Sequence, residues 1–584
     1  GTISGDGVFL DANSGWYPRV EHSLQTFELR VELPEGWLAV SQGRGPDAQA
    51  GGGKVQVSWR ERQPQDDIYL VAGPFHLYET AAPVATAQVY LREPDEPLAR
   101  QYLDATAEYL GLYSQLIGPY PYAKFALVEN FWATGYGMPS FTLLGSRVIR
   151  LPFILHSSYP HEILHNWWGN AVYVDYAGGN WSEALTNYLA DYLLKEQAGQ
   201  GPRHRRDTLQ RYADYVRQGQ DFPLRDFRAR HSGASQAIGY GKGMMFFHML
   251  RRKLGDRDFV EGLRNFYADN LFGSAGFLEL QRAFEQTSGQ ELGDFFHQWT
   301  TRTGAPTLAL ENLSLPPQAG GYAIRGKLRQ TQDGEAFPLE VPLVVHVEHT
   351  QPLVTVLRME QKELPFSLRT GTRPLQLAVD PTFDLFRTLV TGESPPTLSR
   401  LFGADRGLIV WPGAANQELR RAYRRLAEAW TQGYPGWRAS SDAELERLPD
   451  DRPTWLLGWK NRFLPEFLAH QRAIAVDAND ATVAFAGNTL TRGDHSLALV
   501  RPQSLQGQTV AWLAAQGAEA VPGLARKLPH YGKYSYLAFT GESPDNRVKG
   551  QWAVSSSALT QPLAGQQPIP VVLPEPRLSD LAEP

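Results

Sequence analysis

Two histidines lie four positions apart in the segment His161-Glu162-Ile163-Leu164-His165. Side chains at this spacing project from the same face of an α-helix, so both imidazoles can bind one metal ion. Ser157 and Pro160 are typical of a helix start, and Gly169 is typical of a helix end about three turns later. The pattern therefore predicts a helical zinc site.

A catalytic zinc site needs a third protein ligand and one open position. Glu183 is the candidate, because it lies at the start of a second predicted helix, residues 180–195, that has one apolar face. A loop over residues 171–179 would bring this helix back antiparallel to the first. We expect one zinc ion per chain, bound by His161, His165 and Glu183.

Glu162 follows the first ligand and would project towards the open side of the ion. Two imidazoles and one carboxylate leave zinc with a net positive charge, which lowers the pKa of its water from about 16 towards about 7. Glu162 can accept the proton of that water and transfer it to a leaving amine. The segment therefore predicts metal-assisted hydrolysis, with Glu162 as the general base.

The chain around this site divides into four stretches. Residues 1–93 alternate apolar and polar positions, which predicts an antiparallel β domain. Residues 94–304 have helical periodicity and contain the metal segment. Residues 305–395 return to alternation and predict a small β-sandwich, whereas residues 400–584 alternate strands with amphipathic helices and predict an α/β domain of unknown role. The predicted fold class is multidomain α+β.

Composition excludes several kinds of partner. The 56 basic and 62 acidic residues give a net charge of −6 without a basic, aromatic-rich patch, which argues against nucleic-acid binding. The apolar runs are far shorter than the roughly 20 residues of a transmembrane helix. Because the sequence begins with Gly1 and not with Met, we expect a periplasmic or secreted protein. The oligomeric state is not predicted.

Several motifs along the chain resemble those of the gluzincin zinc aminopeptidases of the membrane alanyl aminopeptidase type. Over about residues 20 to 310 they occur in the family's order: Pro119-Tyr120-Pro121-Tyr122, the segment from His161 to Asn170, Trp181-Ser182-Glu183-Ala184, Gly239-Tyr240-Gly241-Lys242-Gly243, Phe295-Phe296-His297-Gln298-Trp299 and Gly304-Ala305-Pro306. This resemblance implies a thermolysin-like catalytic domain that follows a β saddle domain, here truncated. It also implies that Tyr240 donates a hydrogen bond to the oxyanion.

One departure from the family bears on the substrate. The family carries a Gly-x-Met-Glu-Asn strand whose glutamate binds the free α-amine of the peptide, but Pro139 follows Gly137 and Met138 here. The resemblance implies that Gly137 and Met138 still line the substrate cleft. Glu129 is the candidate replacement for the missing carboxylate, and an ordinary strand-end carboxylate is the alternative.

These observations predict zinc-dependent hydrolysis of a peptide or protein substrate. Aminopeptidase action with atypical recognition of the N-terminus is the first hypothesis. A zinc endopeptidase is the alternative within the same chemistry, because the usual amine partner is missing. A non-hydrolytic, zinc-ordered binding protein is the alternative from another class.

Overall fold

The computed structural model describes residues 1–20, 23–133, 135–217, 219–318, 320–477, 479–503, 508–554, 557–563, 569–573, 578 and 580. It confirms that the chain is a multidomain protein of helices and sheets. No helix in these ranges combines the length and apolarity that a bilayer crossing requires.

The N-terminal region consists of two antiparallel sheets. One contains Thr2–Ile3, Val8–Leu10, Leu70–Gly73 and Leu38–Val40, and the other contains Gln25–Pro34, Lys54–Gln65 and Arg44–Gly51. Val55, Val57 and Trp59 alternate with exposed or half-buried residues, so one face of their strand is buried as predicted. The Trp59 indole N–H donates to the Ala39 carbonyl at 3.1 Å and links the two sheets.

The domain that contains the metal segment includes a sheet with strands from both sides of residue 94. Its five-stranded sheet has the order Gly135–Met138, Phe141–Gly145, Lys124–Asn130, Thr86–Leu91 and His76–Ala81. The last two strands were predicted to belong to the N-terminal domain, because alternation alone does not show which sheet a strand joins. Thr86–Leu91 pairs in parallel with Lys124–Asn130, so this sheet connects the first two predicted stretches.

Helices make up most of the rest of this domain. The α-helices are Glu96–Leu116, Ser158–Leu164, Trp181–Thr186, Leu193–Gln197, Gly201–Tyr215, Gly233–Gln236, Gly243–Leu254, Asp256–Asn270, Phe277–Ser288 and Gly293–Thr301. The π-helical stretch Asn187–Tyr192 continues the helix that contains Glu183, and a second π-helical stretch, Ala237–Lys242, contains Tyr240. Stretches of this kind are frequent at functional sites.

Two four-stranded sheets form the third region. One contains Leu308–Ser314, Gly321–Gln330, Pro317–Gln318 and Glu363–Thr370, and the other contains Leu353–Met359, Leu339–Val347, Pro374–Val379 and Thr560–Pro562. The last strand lies within residues 400–584, which were predicted to form the final domain. Its three residues carry no signal of their own and are placed by pairing with Pro374–Val379.

The final domain is built on a seven-stranded sheet in the order Trp437–Ser441, Gly407–Trp411, Thr454–Leu457, Val510–Ala514, Ser496–Val500, Tyr536–Thr540 and Asp545–Gly550. The first four strands are parallel and the last three pair antiparallel. Helix Gln417–Gly433 buries Tyr423, Leu426 and Trp430 against this sheet. The other elements are helices Ser399–Phe402, Leu464–Leu468 and Val521–Lys527 and strands Ile474–Asp477, Thr482–Phe485 and Asn488–Thr491.

Candidate active site

The two predicted histidine ligands lie on a short helix, Ser158–Leu164, which has His165 at its C-terminal end. The His165 N–H donates to the His161 carbonyl at 3.2 Å, so the helical spacing holds between the two ligands. The helix is shorter than predicted, because the chain turns after His165 and reaches Gly169 with a φ of 107°. This turn presents the Trp168 carbonyl to His165.

Hydrogen bonds fix the ring orientation of both histidines. His161 Nδ1 lies 2.7 Å from Asp191 Oδ2, and His165 Nδ1 lies 3.0 Å from the Trp168 carbonyl oxygen. A carbonyl oxygen can only accept, so His165 carries its proton on Nδ1 and leaves the Nε2 lone pair free. With the Asp191 carboxylate as acceptor, His161 likewise carries a proton on Nδ1 and directs Nε2 towards Glu183. Partners of this kind are typical of metal-binding histidines.

The structure brings Glu183 to the two free imidazole nitrogens. Glu183 Oε2 lies 3.4 Å from His161 Nε2 and 3.7 Å from His165 Nε2. Zinc bonds of about 2.0–2.1 Å in a tetrahedron place the ligand atoms about 3.3 Å apart. Glu183 Oε2 is also buried without a hydrogen-bond partner among the described residues. These three residues therefore fit a zinc ion.

The charges of the site favour a cation. Burial raises the pKa of Glu183, but the imidazoles of His165 and His161 lower it by more than burial raises it. The pKa of Glu183 is therefore lowered to about 2. Burial lowers the pKa of His161, whereas Asp191 and Glu183 raise it well above its ordinary value. Two imidazoles thus lie directly beside three carboxylates, those of Glu162, Glu183 and Asp191. A divalent ion would offset this excess of negative charge.

Glu162 points into the same cleft and is in close contact with the edge of the five-stranded sheet. A Cβ atom added at Gly137 would lie 2.6 Å from Glu162 Oε2, so any larger residue at this position would displace the carboxylate. Burial raises the pKa of Glu162, Glu183 and Asp191 raise it further, and His161 and His165 lower it. A carboxyl with a raised pKa is suited to accept and return a proton.

Tyr240 lies across the cleft from this strand, in the π-helical stretch Ala237–Lys242. Its ring stacks on His161 with 6.4 Å between ring centroids, and Asn187 Nδ2 donates to the Tyr240 carbonyl at 3.0 Å. Burial and the neighbouring Glu183 raise the pKa of the phenol, so it keeps its proton at neutral pH. The hydroxyl of Tyr240 is thus available as a hydrogen-bond donor beside the ligands.

Comparison with known proteins identifies the segment that contains these residues. Residues 156–299 match the peptidase family M1 domain. The segment that contains the metal ligands is therefore similar to that domain. This result, together with the aminopeptidases that are similar in sequence, confirms the family to which the sequence motifs are similar.

The relatives of the M1 domain are distant. The alanine/arginine aminopeptidase of Saccharomyces cerevisiae is 22% identical over 305 residues, which cover 48% of this chain and 35% of the yeast protein. Aminopeptidase N of Streptomyces lividans is 23% identical over 321 residues, which cover 49% of this chain and 36% of that protein. The matched part thus spans about a third of the length of these curated relatives.

A solved structure of Legionella pneumophila aminopeptidase A, in complex with aspartic acid, has a similar fold. Its TM-score is 0.50 at 17% identity, and the match covers 70% of this chain and 49% of that chain. At this identity the likeness concerns the fold alone.

The three predicted substrate-binding residues precede the matched segment and lie in three different environments. Gly137 is on the edge strand Gly135–Met138 and lines the cleft. The side chain of Met138 is only 4% exposed and packs in the core of the N-terminal region, so Met138 can offer only its backbone. Alternation along the strand explains the difference between these neighbours.

The structure does not bring Glu129 into the cleft. Its Oε2 atom accepts a hydrogen bond from the Arg92 N–H at 2.8 Å, and its Oε1 atom lies 2.7 Å from Arg150 NH1. Glu129 is buried and absent from the described cleft lining. It has the environment of a structural carboxylate, and the structure gives no support for the prediction that it replaces the missing glutamate.

Two polar residues of the matched segment support the site but were not predicted from the sequence. Asp191 holds His161 and lies eight positions after Glu183, so a search for a second carboxylate on that helix could have found it. Asn166 accepts a hydrogen bond from the Ser140 N–H at 2.7 Å and donates to the Ile163 carbonyl at 2.9 Å. Asn166 thereby connects the helix of the histidine ligands to the turn after the edge strand. No local sequence pattern predicts this role.

Proposed function

We propose that this chain is a zinc-dependent peptidase that hydrolyses peptide bonds with a metal-activated water. The observation that carries the proposal is the convergence of five side chains on one cleft: His161, His165 and Glu183 with free ligand atoms, and Glu162 and Tyr240 beside them. A purely structural metal site has no chemical need of the last two. One zinc ion per chain is part of this proposal.

Zinc bound by the three ligands would activate a water molecule and polarise the scissile carbonyl. Glu162 Oε2 accepts a proton from the attacking water and returns it to the nitrogen of the leaving amine. The phenol of Tyr240 donates a hydrogen bond to the oxygen that becomes negative as the carbon becomes tetrahedral. This bond is stronger in the transition state than with the neutral carbonyl, so it accelerates the reaction.

The edge strand Gly135–Met138 gives the substrate a direction along the cleft. It lies at one end of the five-stranded sheet, and its outer backbone groups are available to an extended peptide. Aminopeptidase action is the first proposal within this chemistry, because the relatives carry that name. Endopeptidase action is the second, because Pro139 occupies the position of the amine-binding glutamate and Glu129 is engaged elsewhere.

The test is the hydrolysis of one peptide prepared with a free and with an acetylated N-terminus, with the products read by mass spectrometry. Stepwise removal of residues from the free peptide alone is expected of an aminopeptidase. Internal cuts in both peptides would make the protein an endopeptidase. A chelator should stop either reaction, and a zinc-loaded chain that cleaves neither peptide would overturn the proposal in favour of a binding protein.

A further inference from the structure

The part of the cleft that adjoins a second cavity contains three positive side chains that come from two domains. Arg211 lies on helix Gly201–Tyr215, Arg230 lies in the following loop, and Lys533 belongs to the final domain. All three line both the cleft of about 750 Å³ and an adjoining cavity of about 390 Å³. We call these three residues the cationic wall.

The cationic wall has no anionic partner among the described residues. None of its three side chains forms an ion pair or donates a hydrogen bond there, although the Lys533 ammonium lies 5.4 Å from the centre of the Tyr534 ring. The nearby Asp207 is already paired, 3.1 Å from Arg206 NH2, and it also accepts a hydrogen bond from Gln551. Three charges of one sign therefore face the cleft.

The surroundings of Lys533 are positive as well. The surrounding protein removes part of the water from the ammonium of this exposed side chain and so lowers its pKa. The charges of Arg211, Lys195 and Arg203 oppose its protonated form, whereas Asp207 favours it. Like charges collected in a partly enclosed cleft attract an anionic ligand. No described contact within the protein otherwise explains why these charges lie together.

The position of Lys533 is fixed by the contacts between helix Gly201–Tyr215 and the final domain, which we call the joint. The Gln551 amide accepts from Arg206 NH2 at 2.5 Å and donates to Asp207 Oδ1 at 3.1 Å and to the Lys533 carbonyl at 2.8 Å. The Ser399 N–H also donates to the Gly532 carbonyl at 2.8 Å. Helix Gly201–Tyr215 thus fixes the backbone that carries Lys533, so the final domain completes the cleft.

The carboxylates that line the cleft are not free to bind a substrate amine. Asp191 is hydrogen-bonded to His161, Asp207 is paired with Arg206, Glu183 belongs to the ligand set and Glu162 is the proposed base. A free α-amine would also be repelled by the cationic wall. Among the described residues, the cleft therefore offers unpaired charge for an anion and none for an amine.

We propose that the cationic wall recognises a carboxylate of the peptide substrate and that the final domain thereby serves as a specificity domain. This inference rests on the proposed peptidase function. A peptide can supply the carboxylate from its C-terminus or from an acidic side chain, and either group can form charge-assisted hydrogen bonds with arginine and lysine.

The test measures binding, so that it does not depend on turnover. Three short peptides of the same neutral backbone sequence are compared: one with a free C-terminus, one with a C-terminal amide, and one with a C-terminal amide and a single aspartate. Their affinities for the full-length, zinc-loaded Glu162→Gln chain are measured by fluorescence anisotropy. We expect either carboxylate peptide to bind about tenfold more tightly than the neutral amide. Which of the two does so identifies the source of the carboxylate.

Matched variants connect this preference to the wall. Lys533→Met should reduce the preference, and Arg211→Gln, Arg230→Gln and Lys533→Met together should abolish it. Lys549→Met should keep it, because Lys549 lies 5.9 Å from the same Tyr534 ring but does not line the cleft. Circular dichroism and zinc content verify that each variant is folded.

Equal affinities for the three peptides, no binding of any of them, or a preference that survives the triple substitution would each overturn the inference. Hydrolysis by the unsubstituted chain is measured separately. A preference in binding together with no hydrolysis would overturn the proposed peptidase function and leave carboxylate recognition standing.

Discussion

The two ends of the cleft are built in opposite ways. At the metal end, the side chains of His161, His165 and Glu183 are 14%, 16% and 24% exposed, and both histidines are oriented by further hydrogen bonds. The cationic wall has three exposed side chains that make no polar side-chain contact within the described chain. Catalytic groups need a fixed geometry before the substrate arrives, whereas recognition groups can obtain their partners from it.

Removal of the proposed general base, Glu162, should cause the largest loss of activity. Glu162→Gln keeps the shape of the side chain but cannot accept a proton, so kcat should fall by about 10²–10⁴-fold. Zinc content, measured by plasma mass spectrometry, should remain at the unsubstituted level because Glu162 is not a ligand. If the variant lost its zinc, Glu162 would be part of the metal site, and its role as the base would be wrong.

Tyr240→Phe tests a group that acts only as the reaction proceeds. The substitution removes the phenol hydroxyl and leaves the ring that stacks on His161. We expect kcat to fall by about 10²–10³-fold, with little change in KM, because the hydrogen bond to the oxyanion is strongest in the transition state. Tyr136→Phe is the matched control, since Tyr136 also lines the cleft but lies on the edge strand Gly135–Met138. Equal losses in the two variants would contradict the role of Tyr240.

The contrast between the metal end and the cationic wall also explains which parts of the site could be predicted from the sequence. The metal ligands lie in short local patterns, because the spacing of His161 and His165 on a helix already brings their imidazoles together. The cationic wall has no local pattern, since Lys533 is more than 300 residues away in sequence from Arg211 and reaches it through the contacts of Gln551. The surroundings of Glu129 could not be predicted for a related reason, because a strand buried on both faces does not show which side faces the cleft.

The cationic wall depends on a joint between two domains, and this joint should respond to pH. Asp214 accepts a hydrogen bond from the Ser399 hydroxyl at 2.5 Å in that joint. Burial raises the pKa of Asp214 from 3.8 to about 6, although Ser399 and two nearby arginines lower it. Between these values the folded chain binds more protons than the unfolded chain, so this group should lower stability as the pH rises from about 4 to 6.

Asp214→Asn should remove that contribution, which amounts to about 3 kcal/mol at most over this range. Thermal unfolding of both chains is followed from pH 4 to pH 7, and the stability of the variant relative to the unsubstituted chain should increase with pH. Asp226→Asn, at an exposed position, controls for the substitution itself. Parallel curves for the Asp214 variant and the unsubstituted chain would show that the joint carries no buried titrating carboxyl.

The smallest effect is expected on zinc affinity, when an aspartate at either end of the cleft is exchanged for asparagine and the two variants are compared. Asp191→Asn keeps an oxygen within reach of His161 Nδ1 but removes the charge that strengthens the imidazole as a ligand, so zinc affinity should fall by about 10–100-fold. Asp207→Asn makes the same chemical change beside the cationic wall and should leave zinc affinity unchanged. Competition with a chelator of known affinity measures both. Equal losses would mean that the two ends act as one electrostatic unit, and the separation of catalysis from recognition would then be wrong.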